Sequence, residues 1–175
     1  MRVPCSIRPI ACDDRGATII EFAIVAPVFL AVLIAILQVA LVYLAQDGLE
    51  GATETASRLL ATGQAQQAGM NAAQFQSAAC SALPSYMNCS ALMVDVRTAS
   101  SFSAADTGMP VLTYDNNGNV STAFAYTPGG QAAIVVVRFM YLWPTSSGPL
   151  GFNISNQPGG KRLLLATSVF KSEYY

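Results

Sequence analysis

The 175-residue chain has a formal net charge of −1, with 11% charged residues, 53% hydrophobic residues and a mean hydropathy of +0.42. That length suits one modest domain plus an anchor, and the charge balance provides no basic footprint for nucleic acid. Because histidine is absent, Ser-His-Asp and Cys-His nucleophile systems, imidazole bases and His-containing zinc sites are excluded.

Residues 1–16 read as a cytoplasmic leader containing Arg2, Arg8 and Arg15, together with Asp13, Asp14, Cys5 and Cys12. Both cysteines are expected to stay reduced there and to have no role, with attachment of a lipid as the alternative. Residues 17–46 read as a transmembrane helix. Between Glu21 and Asp47 no residue is charged, and that run of about 25 residues exceeds the roughly 20 needed to cross the hydrocarbon core. Gln38 is the strongly polar side chain in its middle, and Pro27 removes one helical hydrogen bond, which a membrane helix tolerates. A cleavable secretory signal has a much shorter apolar core, and a buried helix of a soluble protein seldom stays apolar on every face for this length. The arginines precede the span, whereas Asp47, Glu50 and Glu54 follow it before Arg58. By the positive-inside rule the N-terminus stays cytoplasmic and residues 47–175 are exported.

Helical spacing continues beyond the span through Leu49, Ala52, Ala56, Leu59 and Leu60, with Glu50, Glu54 and Arg58 on another face. Glu54 lies one turn before Arg58, a supportive orientation. Gly48 and Gly51 weaken the helix by about 1 kcal/mol each relative to alanine, which makes a hinge or a simple weak spot. A helix from Ala17 to Thr62 would be roughly 70 Å long. Gly63 to Gly69 reads as a connector. Asn71 caps a second helix that turns Phe75, Ala78, Ala79 and Ala82 to the core and ends near Pro84.

Strand-like runs follow at Leu92–Thr98, Ala132–Trp143 and Leu163–Lys171. Leu92, Val94 and Val96 alternate with Met93, Asp95 and Arg97. Val111–Tyr114 and Val120–Phe124 flank Asp115-Asn116-Asn117-Gly118-Asn119, and Asn-Gly between such halves is a hairpin signal. Ala99–Thr107 reads as a surface loop. The resulting fold class is α+β: a long helix packed on a small antiparallel sheet, with a second helix.

The junction Arg15-Gly16-Ala17-Thr18-Ile19-Ile20-Glu21-Phe22 carries the functional reading. A carboxylate at the edge of an apolar span is a functional candidate, because it costs free energy without a partner. Cleavage after Gly16 would create that partner, an amine on Ala17 one helical turn from Glu21, in the same chain or a neighbour. The alternative is a carboxylate that merely snorkels to the headgroups. Pro27 either bends the helix or is simply tolerated.

Gly16 followed by Glu21-Phe22 resembles the processing site of type IV prepilins, in the form of the tight-adherence (Tad, or Flp) pilus systems. Glu21-Phe22-Ala23 with Pro27 is similar to the N-terminal signature of the TadE-like family, and Val169–Tyr175 resembles that family's C-terminal strand. The resemblance implies a minor pilin or pseudopilin, cut by a prepilin peptidase in the inner membrane, that helps start or cap the pilus. It also implies, as partners, other minor pilins, the major Flp pilin, the inner-membrane assembly platform and membrane lipid, with no cofactor and no enzymatic activity. The substantial head distinguishes this chain from the short, almost wholly helical major pilins. TadE-like and TadF-like proteins remain alternatives. So does an uncleaved, signal-anchored envelope binding protein.

Cys80 and Cys89, nine apart, are expected to pair in an oxidising compartment. Two thiols without histidine do not complete a metal site. The Asp115–Asn119 segment reads as a turn: for a calcium loop its glycine falls too early, and Tyr126 occupies the position of the bidentate glutamate. An anchored hydrolase would need clustered carboxylates, and Asp95, Asp106 and Asp115 are scattered along the sequence. Phe139, Tyr141, Trp143, Tyr174 and Tyr175 read as sheet packing, with an adhesive or docking role as the alternative.

Overall fold

The computed structural model describes residues 17–175. The expected leader, with Cys5, Cys12 and Gly16, lies outside the described residues. Helix α1 spans Ala17–Ala61 and runs through Pro27 as one element. It ends where Gly63 takes a left-handed conformation at φ 74°, which glycine adopts without strain. A short helical turn α2, Gln64–Gln67, occupies the segment read as a plain connector. Helix α3 covers Ala72–Cys80 and opens with a reciprocal cap: the Asn71 side chain accepts from the Gln74 amide, and the Gln74 side chain accepts from the Asn71 amide. It stops at Cys80 rather than near Pro84, so Ala82 lies beyond it and is half-buried.

Strands β1 (Leu92–Ala99), β2 (Ile134–Pro144) and β3 (Lys161–Lys171) form an antiparallel sheet in the order β1-β2-β3. One face packs on the helices. There Leu92 and Val96, Val135, Val137, Phe139 and Tyr141, and Leu164 and Ala166 meet Ala45, Leu49, Ala56 and Leu60 of α1 and Phe75 and Ala79 of α3. The other face is covered by the excursion between β1 and β2, where Leu112 packs on Met140 and Leu163 with Tyr114, Val120 and Phe124 around them. Being covered on both sides explains why β2 reads as a continuous apolar run rather than an alternating one.

The anticipated hairpin is reduced to a single bridge between Tyr114 and Val120. Its turn forms, with Gly118 at φ 78° and the Asp115 carboxylate accepting from the Asn117 and Asn119 amides. The flanking residues instead turn their side chains down as a lid on the sheet, and the ladder does not extend. Beyond β3 the chain folds back onto the end of α1. The Glu173 amide donates to the Ala61 carbonyl at 2.8 Å, which satisfies one of the acceptors every helix leaves at its C-terminus. The Tyr175 ring lies against Gly63, so closely that a Cβ there would meet it. Tyr174, read as sheet packing, is instead 80% exposed.

Candidate assembly site on the apolar helix

Helix α1 has two regimes. Above Ala45 its buried residues fall on one face: Ala45, Leu49, Ala52, Ala56 and Leu60, with Thr53 and Ser57 beside them. Small side chains dominate this face, and the sheet and α3 approach closely. At Gly48 a Cβ would come within 2.6 Å of the Pro84 side chain and 2.8 Å of the Tyr86 hydroxyl, whereas at Gly51 it would meet nothing. The two glycines read together as weak spots are therefore different: Gly48 is required by packing, and Gly51 is not. On the exposed face Arg58 and Glu54 form the anticipated ion pair at 2.7 Å. The side chain of Gln46 donates to the Leu165 carbonyl at 2.9 Å and ties α1 to β3.

Below Ala31 the helix has no protein cover. Ile19, Ile20, Phe22, Ile24, Val25, Val28, Phe29 and Leu30 are all exposed, and they occur at every angle around the axis. Removing each such side chain from water is favourable by about 1.5–3 kcal/mol, so this half requires an apolar surrounding that its own head does not supply. The length and composition of α1 are those of a membrane-crossing helix.

Of the anticipated processing and assembly residues, Glu21, Phe22 and Pro27 lie on this bare half. Ala17 is the first residue of α1. Glu21 and Phe22 are both exposed, Phe22 at 72%. Among the described residues Glu21 forms no ion pair. It lies ten residues below Ala31, about 15 Å along the axis, so no residue of the head serves it. Pro27 is inside the helix and exposed. The structure thus keeps Glu21, Phe22 and Pro27 on one bare segment of the helix that begins at Ala17. Cys80 and Cys89 are in the head, joined by a disulfide with Cα atoms 5.4 Å apart. That bond ties the end of α3 to the turn leading into β1.

One charged constellation escaped the sequence reading, which took Asp95, Asp106 and Asp115 as scattered. Two of the three share a partner. Asp95 and Arg138 are directly opposed across β1 and β2, with Arg138 Nη2 donating to Asp95 Oδ2 at 2.7 Å. Arg138 Nη1 donates to Asp106 Oδ2 at 3.0 Å, Arg97 Nε reaches Asp95 at 3.0 Å, and the Ala125 amide donates to Asp95 Oδ1 at 2.8 Å. Burial by itself would raise the Asp95 pKa. The Ala125 amide and the two guanidinium groups outweigh it and hold the carboxyl below its ordinary value. The exposed Asp106 is lowered by the Gly108 amide and by Arg138. Every strong acceptor here is occupied by a donor of the fold, so the cluster pins the β1–β2 excursion to the sheet and leaves no free acid or base. Its signal in the sequence was a lone arginine in the apolar run of β2 and an aspartate among the apolar residues of β1, since buried charges need partners. Among the described residues no group of three or more Cys, Asp or Glu side chains is arranged to hold a metal ion.

The model of the family described as TadE-like protein matches residues 16–58. The match begins one residue before α1 and ends within its last turn, and it does not reach Val169–Tyr175. No curated protein and no solved structure matches the chain significantly. The matched segment fits a pilus-associated, pilin-like protein with an N-terminal apolar helix, from a structural family rather than an enzyme family.

Proposed function

We propose that this chain, TadE-like over residues 16–58, is a minor pilin or pseudopilin that initiates or caps a Tad/Flp pilus. The observation that carries the reading is the coincidence of the family match with a helix whose lower half is apolar on all faces, bare of its own head, and marked by Glu21. In this mechanism the N-terminus begins in the cytoplasm and α1 crosses the inner membrane. A prepilin peptidase cuts between Gly16 and Ala17 and frees the Ala17 amine. The bare half of α1 then leaves lipid for a bundle of like helices, contributed by other minor pilins and the major Flp pilin at the assembly platform. There Glu21 pairs with a neighbour's amine. At low dielectric that pair sets axial register, because a misaligned subunit leaves a charge unmatched. The Cys80–Cys89 bond supports an oxidising location for the head.

N-terminal sequencing of the membrane-extracted protein should read Ala-Thr-Ile-Ile-Glu, and Gly16→Arg should block processing. Glu21→Ala should be inserted and cut normally, yet crosslink poorly to partner subunits and leave few or no pili. Normal pili with Glu21→Ala would remove the pairing mechanism. An intact Met1 start in cells with active peptidase would favour an uncleaved, signal-anchored binding protein instead.

A further inference from the structure

The head does not stop where the apolar run of α1 stops. The turn Pro149–Gly151 packs beside Ala31, Val32 and Ala35, and Ala31 is only 7% exposed. Slightly higher, Gln38 Nε2 approaches the Ser146 carbonyl at 3.4 Å. Ala31 lies sixteen residues below Asp47, the first charge after Glu21, or about 24 Å at the helical rise. The loop between β2 and β3 therefore runs down alongside the middle of a segment built for lipid.

Its chemistry fits that place. From Thr145 to Gly160 no side chain is charged. Leu150 sits at the tip, 84% exposed and at φ 58°, a left-handed conformation that is rare for leucine. Part of the loop's polar backbone is paired internally: the Gly148 amide donates to the Phe152 carbonyl at 2.7 Å and the Phe152 amide to the Pro149 carbonyl at 3.3 Å, while Pro149 has no amide hydrogen to satisfy. Such pairing lowers the penalty that non-helical backbone meets in an apolar medium, where it is tolerated only under protein cover, and the packing of the turn on Ala31, Val32 and Ala35 covers one side of it.

Two independent markers set the bilayer boundary at one level. Counting about 20 residues up from Glu21 crosses the hydrocarbon core and reaches Leu41. At that same level stand three amphipathic aromatics. Tyr43 is 71% exposed, Trp143 lies beside Gln38, Leu41 and Val42, and the Tyr86 hydroxyl donates to the Leu44 carbonyl at 3.0 Å. Tyrosine and tryptophan collect at membrane interfaces. Relative to that belt the Pro149–Gly151 turn is deeper by some six to ten residues of helix, about 9–15 Å.

We propose that the Ser146–Phe152 loop is a second, non-helical membrane contact: Leu150 enters the acyl region of the phospholipid bilayer beside α1, while Trp143 rests at the headgroups. The head is thereby held down on the membrane instead of swinging on a tether. The inference rests on reading α1 as a membrane anchor, and the test separates the two. The full chain is reconstituted in phosphatidylcholine vesicles with or without bromine on the acyl chains. The native protein holds a single tryptophan, Trp143, and a Trp143→Phe background reports one introduced tryptophan at a time. Phe29→Trp probes the anchor. Leu150→Trp probes the loop. Phe102→Trp, beyond the far end of β1, probes the distal head.

The expected result is a blue-shifted emission and loss of intensity in brominated vesicles for Phe29→Trp and Leu150→Trp alike, with Phe102→Trp unchanged. Native Trp143 should be quenched by bromine near the headgroups, a measurement that needs no substitution and so survives any misfolding of the Leu150 variant. Quenching of Phe29→Trp with no quenching at Leu150→Trp or at native Trp143 would overturn the loop contact and leave the anchor standing; the loop would then face water or a neighbouring subunit. No quenching at Phe29→Trp would overturn both.

Discussion

The two halves of α1 use similar apolar residues and meet opposite surroundings. In the upper half the buried positions, from Ala45 to Leu60, fall on one stripe, and three of the residues facing the head are alanines. In the lower half, from Ile19 to Leu30, bulky side chains project in every direction and all are exposed. The difference lies in the shape of the apolar residues and in the charged face, Glu50, Glu54 and Arg58, that only the upper half carries. A stripe of small residues lets a sheet lie against the helix, whereas a bulky girdle admits only a surrounding that conforms to all sides, as lipid or a bundle of helices does. The family match runs across both halves, and one continuous helix joins the part that folds with the chain to the part that requires other molecules.

The largest expected effect that tests this contrast comes from deleting one large side chain from the core that the upper half shares with the head and one from the lower half. Leu49→Ala or Phe75→Ala, both at positions with no exposure, should lower the unfolding free energy of the head by about 3–5 kcal/mol. Phe29→Ala should leave it unchanged. Denaturant titration of the full chain in detergent measures both, and a comparable loss in Phe29→Ala would show that the lower half does belong to the head's core.

The Asp95–Arg138 pair is next. Arg138→Met removes the buried partner of a carboxylate that is 2% exposed. Breaking a buried pair costs about 3–5 kcal/mol when the charge is left bare, and because Arg97 and the Ala125 amide remain on Asp95 the loss should fall at or below the lower end of that range. Replacing both partners, Asp95→Leu with Arg138→Met, should restore most of the loss. The pair also sets a pH dependence. The folded-state pKa values of Asp95 and Asp106 lie below the ordinary 3.8, so the unfolded chain binds the proton first as pH falls. Their contribution is complete above about pH 4 and is lost on acidification through the lowered folded values. Head stability should therefore be flat from neutral pH down to about pH 4 and then fall, less steeply in the double variant. A decline beginning near neutrality would contradict this assignment.

Reduction of the Cys80–Cys89 bond should reduce stability by about 2–3 kcal/mol, the loop-closure value for so short a loop. Before reduction, neither thiol should react with an alkylating reagent. The smallest effects are expected at the two glycines, and there the signs should differ. Gly51→Ala, with open space around its Cβ, should stabilise by up to about 1 kcal/mol through helix propensity. Gly48→Ala forces apart Pro84 and Tyr86 and should destabilise. Equal effects at both positions would mean that the close approach at Gly48 carries no weight.

Much of this organisation is legible in the residues themselves. The uncharged run, the one-face spacing of Leu49, Ala52, Ala56 and Leu60, the Asn71 cap and three strands at nearly their observed limits are all local signals, and each is read within one or two turns of chain. Gly16, Ala17, Glu21, Phe22 and Pro27 stand out for the same reason: a charge and a proline in an otherwise apolar segment are visible without a fold. Less legible were Val111–Phe124, where an Asn-Gly turn marks a hairpin that tertiary packing spreads into a lid, and the last residues, where Tyr175 leaves the sheet to close over Gly63.

By itself, then, the sequence determined that this protein has a membrane-length helix, a carboxylate within its first turns and a small α+β head, because hydropathy, periodicity and capping act between near neighbours. Only the tertiary structure decided which glycine is crowded by its neighbours, that Asp95 and Asp106 share Arg138, and that an uncharged loop returns alongside Ala31. Each of those depends on which surfaces distant segments present to one another. That is settled by close packing and the pairing of buried charge across the sheet, and no local pattern encodes it.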